Sequence, residues 1–185
     1  MGSTLRTERL ELLPMRLEHI EAVLHDRRDV LRAMLDAQIP AGWPGRDVIA
    51  RAYGSIDRIR ADPEKRLWGD RLVIAVDGSR RVVGSVVFHG CPDCNGSIEI
   101  AYGIEPGSQG RGYACEATRA CVAWAFEQPE VRTITATTPP FHHASARVLE
   151  KLGMKRVGTR DHEILGELAV WALPRERACA VQQPL

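Results

Sequence analysis

Residues 108–114, of sequence SQGRGYA, have the residue types of an anion-binding loop. Gly110 and Gly112 lack a Cβ, so the backbone can adopt a positive φ there and approach an anion closely. An apolar run over residues 98–104 precedes the loop, and a run with helical periodicity over residues 113–126 follows it. The N–H groups at a helix start have no intrahelical partner, and the helix dipole favours negative charge there. The segment therefore predicts a phosphate-binding loop.

Glu99 is the carboxylate that precedes this loop on the predicted strand, at residues 97–104. Side chains alternate along a strand, so Glu99 shares a face with the small residues Ala101 and Gly103. Such a face leaves room for a ligand, and a carboxylate beside it suits a general base. The same pattern also fits a solvated glutamate or one that is paired with an arginine. Further candidate bases, or simply polar surface residues, are His89, His142 and His143.

A C-x-x-C segment, Cys91 to Cys94, follows His89. A zinc site usually takes four ligands, and the sequence offers no second ligand pair. A redox-active pair is expected at the start of a helix, whereas these cysteines fall in a predicted hairpin loop. The other cysteines, Cys115, Cys121 and Cys179, are scattered, so neither a metal site nor a redox site is expected.

The elements that must position these residues follow from the spacing of the apolar side chains. Strands are predicted at residues 4–14, 72–76, 82–88, 97–104, 131–138, 154–159 and 167–173. Helices are predicted at residues 17–37, as two short helices, and at 47–61, 113–126 and 144–152. This order predicts an α/β (α+β) chain with a mostly antiparallel sheet and one β-α-β crossover.

The composition predicts one globular domain over residues 1–185, with a loose tail from about residue 175, because 44% of the residues are hydrophobic. A net charge of +1 gives no basic field, so nucleic-acid or membrane-surface binding is not expected. No apolar run reaches the ~20 residues of a membrane span, and the first residues lack the apolar core of a signal peptide. A cytoplasmic protein is therefore expected.

Three kinds of phosphate loop compete for residues 108–114. The ATP-type pattern G-x-x-x-x-G-K-[ST] is absent. The dinucleotide pattern G-x-G-x-x-[GA] fits at Gly110 and Gly112 but meets Cys115 at its third position, and the next strand offers no acidic residue. The third kind is an acyl-coenzyme A loop.

Residues 109–114 resemble the acyl-CoA pyrophosphate loop of the GNAT N-acetyltransferase superfamily, whose pattern is Q/R-x-x-G-x-G/A. Residues 99–106 look like the strand and turn that precede this loop in the family, and residues 144–154, ASARVLEKLGM, look like its closing helix. Residues 5–12 are similar to the opening strand of the branch that contains the ribosomal-protein alanine N-acetyltransferases. The resemblance covers about residues 5–173, in family order and spacing.

The resemblance implies the GNAT fold, with six to seven strands in a mostly antiparallel mixed sheet, helices on both faces and a splayed central strand pair. It implies transfer of an acetyl group from acetyl-CoA to a primary amine by direct attack in a ternary complex. The alternative is a non-catalytic module that binds or senses acyl-CoA. The residues it assigns to cofactor binding are Tyr102, Ile104, Gln109, Gly110, Arg111, Gly112, Tyr113, Ala114 and His142.

The resemblance also suggests catalytic roles. Glu99 is the expected base, directly or through a water, with Glu163 as a second candidate, and Ser145 is expected to assist the leaving thiolate. The strand backbone near residues 102–104 is expected to donate an N–H to the oxyanion. Two positions depart from the family pattern, since His142 replaces an asparagine and Leu149 replaces a tyrosine near the cofactor sulfur.

The acceptor side of the fold is implied to lie under residues 39–44 and the helix that begins at Asp47. Trp43 and Trp68 are candidates for lining the acceptor cleft, or are ordinary core aromatics. A protein N-terminus or a small-molecule amine fits as the acceptor, no metal is needed, and a homodimer stays open because dimers are common in the resembled family.

Overall fold

A computed structural model describes residues 3–45 and 56–177. Their strands form one sheet in the order β1-β2-β3-β4-β5-β6-β8-β7, in which only β5 and β6 pair in parallel. The strands are β1 (Leu5–Arg6), β2 (Leu10–Pro14), β3 (Arg71–Ala75), β4 (Arg81–Phe88), β5 (Ser97–Ile104), β6 (Thr133–Thr138), β7 (Lys155–His162) and β8 (Gly166–Pro174).

The helices lie on both faces of this sheet. They are α1 (Leu17–Leu24), α2 (Arg28–Leu35), α3 (Pro63–Arg66), α4 (Tyr113–Glu127) and α5 (His143–Lys151), and residues 56–61 are also helical. None of the helices in the described part of the chain is long and apolar enough to cross a membrane.

The mixed α/β architecture with a mostly antiparallel sheet is confirmed, and the split of residues 17–37 into two helices is confirmed as well. The strand count of six to seven is wrong, because the sheet has eight strands. The extra strand arises where residues 4–14 were expected to be one strand. The chain turns at residues 7–9, where Thr7 N donates to Leu10 O, and this turn makes β1 and β2 an antiparallel pair.

Some of the predicted features lie outside the described residues. They are most of the helix expected at residues 47–61, the tail beyond residue 177, and Cys179.

The short helix α3 was not predicted. Pro63 fixes its first turn, and the Asp62 side chain caps it by accepting from Lys65 N.

Two apolar cores lie on opposite faces of the sheet, because alternate residues of each strand point to opposite sides. One core joins β4, β5 and β6 to α4 and α5, with Phe88, Ile100 and Leu149 buried in it. The other packs β3 and β4 against α1 and α2, around Leu72, Ile74 and Leu31. Burying both faces fixes the register of the central strands and holds the ends of β5 and β6 in place.

The β5–β6 pair separates along its length. Its ladder begins at Ser97 with Thr133 and ends at Glu99 with Thr135, although β5 continues to Ile104 and β6 to Thr138. Beyond that point β5 stays paired with β4, and β6 stays paired with β8. The expected splay of the central strands is confirmed, and it opens a gap in the middle of the sheet.

Candidate functional site

The loop that leaves β5 has the backbone conformation that its glycines predict. Residues 106–108 form a 3-10 turn, and Gly110 and Gly112 have φ of 77° and 84°. An L-residue at these φ values is strained, which explains why glycine occupies both positions. Gly112 is the N-cap of α4, and residues 109–112 are exposed. The loop is therefore an exposed turn that leads directly into a helix start.

The loop leaves a set of backbone donors without acceptors. Within the described residues, no hydrogen bond uses the N–H groups of residues 110–114, and the first backbone donor of α4 is Glu116 N, which donates to Gly112 O. A Cβ built on Gly110 meets no atom within 4 Å, so an anion has room to approach. Orphan N–H groups at the positive end of a helix dipole fit a pyrophosphate.

A buried polar cluster lies before this loop. Glu105 accepts from Gly107 N at 2.8 Å and from Arg81 Nη2 at 3.0 Å. Ser108 is fully buried, and its hydroxyl bonds to both Glu105 and Arg81. The Gln109 side chain donates to Ile104 O at 2.9 Å. These bonds fix the turn between β5 and the loop, so that the loop N–H groups keep their positions.

A second set of polar contacts ties the start of α4 to the turn between β1 and β2. Arg9 donates to Glu116 through Nε at 2.9 Å and through Nη2, and Thr7 Oγ1 donates to the same carboxylate. Arg9 Nη1 also donates to Arg111 O at 3.0 Å. We call this group, Thr7, Arg9 and Glu116, the α4 clamp. The bond from Arg9 occupies the carbonyl of Arg111, so the N–H groups of the loop are the backbone groups that remain available to an anion.

The electrostatics of the clamp favour an ionised Glu116. Burial by itself would raise the pKa of Glu116, but hydrogen bonds from Thr7 and Arg9 outweigh it, and the pKa lies below its ordinary value. The Glu116 side chain is 18% exposed, and its negative charge lies in the first turn of α4, where the helix dipole favours it.

Glu99 lies at the last pair of the β5–β6 ladder, where the two strands begin to diverge. Thr137 Oγ1 donates to Glu99 Oε1 at 2.6 Å, and Arg160 of β7 approaches both carboxylate oxygens at 3.3 and 3.4 Å. His89 Nδ1 lies 3.8 Å from Glu99 Oε2. Of the alternatives for Glu99, the structure therefore contains the one in which the carboxylate is paired with an arginine. The Glu99 side chain is still 18% exposed.

Ser145 lies in the first turn of α5, the helix that follows β6. Its Oγ is 3.0 Å from Tyr102 Oη, and the phenol also lies within donor distance of Ser145 O, at 3.1 Å. His142 is the N-cap of α5 and accepts from Ser145 N through Nδ1 at 3.1 Å. His142 thus supplies the capping bond at the position where the family pattern has asparagine.

The remaining predicted residues lie in three surroundings. Tyr102 and Ile104 are in the stretch of β5 beyond the β5–β6 ladder, and both side chains pack against the core under α4 and α5. Trp43 is 3% exposed in the core between the sheet and α1–α2. Trp68 packs on Phe88 and Trp124, with ring centroids 5.3 and 5.0 Å away. Leu149 is buried in the core under α5, so that helix brings no phenol to the gap.

Cys91 and Cys94 lie in the loop between β4 and β5, as predicted, and both are free thiols. Within the described residues no group of three histidine, cysteine or acidic side chains is placed to hold a metal ion.

An open anion loop at a helix start, beside a splayed parallel strand pair, is the arrangement that the sequence resemblance implied. A family model described as an acetyltransferase (GNAT) domain matches residues 9–155. The chain belongs to the GNAT acetyltransferase family. As a GNAT member it is an acetyl-CoA-dependent acetyltransferase.

Individual GNAT proteins agree with this assignment. An uncharacterized N-acetyltransferase of Bacillus subtilis, YjdG, is 28% identical over 149 residues, which cover 80% of this chain and 88% of that protein. The fold is shared with a ribosomal-protein-S5-alanine acetyltransferase from Vibrio fischeri, with a TM-score of 0.62, 14% identity, and 95% and 98% of the two chains covered. It is also shared with the microcin C7 self immunity acetyltransferase MccE, solved with acetyl-CoA and AMP, with a TM-score of 0.61, 15% identity, and 91% and 93% covered.

Several residues of the GNAT site were not found by sequence reasoning. They are the partners Thr137 and Arg160 of Glu99, the Tyr102 phenol, the α4 clamp and the cluster of Arg81, Glu105 and Ser108. Except for the local Glu105–Ser108 bond, the contacts of these residues join positions that are 24 to 109 residues distant in the chain. For Glu99 an arginine partner was one of the alternatives, but nothing in the sequence indicated that this arginine is Arg160.

Proposed function

We propose that this protein moves the acetyl group of acetyl-CoA to a primary amine, on a small molecule or a protein N-terminus, by direct attack in a ternary complex. The observation that carries the proposal is the gap between β5 and β6, because it has the anion loop at one end and polar side chains along its sides. A gap of this kind lets a thioester and an amine meet from the two faces of the sheet.

The loop residues are the proposed holders of coenzyme A. The N–H groups of residues 110–114 would donate to the pyrophosphate oxygens, and their lack of acceptors among the described residues is what fits that group. Arg111 is exposed beside them and adds a positive charge. His142 would contact the pantetheine arm through the ring nitrogen that its capping bond does not use.

The β5 backbone at residues 102–104 is the proposed oxyanion donor. Its β6-facing edge lies beyond the last β5–β6 pair, so an N–H there is available to the carbonyl oxygen of the thioester. A fixed backbone donor stabilises charge that develops on that oxygen, because it need not reorient during the reaction. Ser145, on the other side of the gap, is the proposed donor to the sulfur.

Glu99 is the proposed proton acceptor for the attacking ammonium, directly or through a water. The bond from Thr137 and the pair with Arg160 orient its carboxylate at the point where the strands part. Proton removal makes the amine nucleophilic, and the proton then passes from Glu99 to solvent. Trp43 and Trp68 stay proposals for the acceptor side, although Trp43 is buried in one core and Trp68 packs against the other, on the opposite face of the sheet.

A screen of amine acceptors tests the proposed function. Purified protein is incubated with acetyl-CoA and a panel of small primary amines and N-terminal peptides. Thiol release is followed with a disulfide reagent, and the acetylated products are identified by mass spectrometry. We expect turnover on at least one class of amine. Tight binding of acetyl-CoA without turnover on any member would overturn the proposal in favour of a module that only binds acyl-CoA.

A further inference from the structure

The Tyr102 side chain is the polar group at the gap to which neither the family pattern nor the sequence assigns a role. Only its backbone was expected to take part. Its phenol oxygen lies 3.0 Å from Ser145 Oγ and 3.1 Å from Ser145 O, so a strand residue reaches across the gap to the helix that follows β6. The two residues are 43 positions apart, and their hydrogen bond spans the place where β5 and β6 have separated.

We propose that Tyr102 is a positioning residue, whose phenol donates to Ser145 Oγ so that the serine hydroxyl is aimed at the sulfur of the thioester. This inference rests on the proposed acetyl transfer. A phenol carries one hydrogen, for which Ser145 O and Ser145 Oγ both lie within reach, at 3.1 and 3.0 Å; the productive arrangement is the one in which Oγ receives it. The serine hydrogen then has no acceptor inside this pair and is available to the leaving sulfur.

The two linked hydrogen bonds, from Tyr102 to Ser145 and from Ser145 to the sulfur, act by polarisation. No proton is transferred along them. As the new C–N bond forms and the C–S bond breaks, the sulfur keeps the bonding electron pair. Ser145 donates a hydrogen bond to that developing charge, and Tyr102 strengthens it because linked hydrogen bonds polarise one another. The thiolate leaves and takes its proton from water. The ammonium loses its first proton to Glu99, which passes it to solvent, and the nitrogen loses its second proton to water after the C–N bond forms. Ammonium and thioester thus give amide, thiol and one released proton, so atoms and charges balance.

The surroundings of the phenol support this role. Burial raises the pKa of Tyr102 to about 12, although the bond to Ser145 acts in the opposite direction. The phenol therefore stays protonated at neutral pH and remains a donor. A thiol has an ordinary pKa of about 8.5, so the proton stays on the phenol rather than moving to the sulfur. The α5 position where the family has a tyrosine is filled by the buried Leu149, which makes Tyr102 the phenol nearest to Ser145 within the described residues.

The kinetic test compares Tyr102→Phe, Ser145→Ala and the double variant on the best acceptor of the screen. Phenylalanine keeps the packing and removes only the hydroxyl. We expect Tyr102→Phe to lower kcat about three- to tenfold, the effect of one hydrogen bond, with the acetyl-CoA KM within about twofold. In the Ser145→Ala background the same change should have no effect. An equal effect in both backgrounds, or a change in KM alone, would overturn the positioning role.

A binding test needs no acceptor and separates this inference from the proposed function. Affinities for coenzyme A and for desulfo-coenzyme A, which lacks the sulfur, are measured by calorimetry at pH 7 and at pH 10, because the fraction of thiolate rises with pH. We expect the wild-type protein to prefer coenzyme A and both Tyr102→Phe and Ser145→Ala to lose that preference. Thr118→Val is the control hydroxyl deletion, since the buried Thr118 Oγ1 has no hydrogen-bond partner within the described residues, and it should keep the ratio. A preference retained in Tyr102→Phe contradicts the inference even when no amine turns over.

Discussion

Glu99 is held by a threonine and an arginine at the point where β5 and β6 part. These partners lower the freedom of the carboxylate and fix the direction in which it accepts a proton. A paired carboxylate can be structural as well as catalytic, and the two roles differ in what an isosteric substitution does. A structural pair affects stability first, whereas a proton acceptor affects kcat.

At the residue scale, we expect Glu99→Gln to lower kcat for amine acetylation by about 10²-fold or more, because the amide keeps the shape but cannot accept the proton. The Kd for acetyl-CoA should stay unchanged, since the loop proposed to bind it is intact. Steady-state kinetics and calorimetry measure the two quantities. Thr137→Val is the matched control, which removes one bond to the carboxylate and should have a smaller effect. An unchanged kcat in Glu99→Gln rules out the role of base.

At the scale of elements, the loop depends on two glycines in the left-handed region. We expect Gly110→Ala to weaken acetyl-CoA binding about tenfold, because a side chain at φ 77° strains the turn and takes the space of the phosphate. Gly166→Ala is a matched control at φ 70°, at the first residue of β8, where a Cβ also meets nothing within 4 Å. It should lose similar stability and keep its affinity. Equal affinities for the two variants, measured by calorimetry, contradict the phosphate assignment.

The α4 clamp makes the stability of this element depend on pH. The folded pKa of Glu116 is lowered, so its contribution is present above the ordinary carboxyl range and is lost as the pH falls through the folded pKa. We expect Glu116→Gln to lower Tm at pH 7 by about 2–4 °C, through loss of charged hydrogen bonds. Between about pH 6 and pH 3, the wild-type Tm should fall toward that of the variant.

Thermal unfolding across that pH range measures the effect. Glu127 is exposed at the other end of α4 and serves as the control. We expect Glu127→Gln to have nearly the same Tm as the wild type at every pH. A Tm gap between wild type and Glu116→Gln that is the same at pH 3 and pH 7 contradicts a clamp that depends on the ionised carboxylate.

At the scale of the whole molecule, the sequence predicted what local patterns encode. The glycines at 110 and 112, the helix periodicity after them and the alternation along β5 lie within a few residues of one another, so their structure follows from short-range rules. The loop, its helix and the architecture were predicted for that reason.

The other features depend on where distant segments meet. Arg160 reaches Glu99 from 61 residues away, and Arg9 reaches Glu116 from 107 residues away. Neither pair can be recognised in the sequence, because nothing in the residues around an arginine indicates which distant carboxylate it contacts in the fold. The turn at residues 7–9 was missed for the same reason, since Thr7 and Arg9 are held there by a glutamate of α4.

Direct transfer requires acetyl-CoA and amine to occupy the gap between β5 and β6 together. Initial rates with the best acceptor, measured while both substrates are varied, test this most directly. We expect double-reciprocal lines that intersect, as a ternary complex requires. Parallel lines, which indicate a covalent acetyl-enzyme formed before the amine binds, would contradict it.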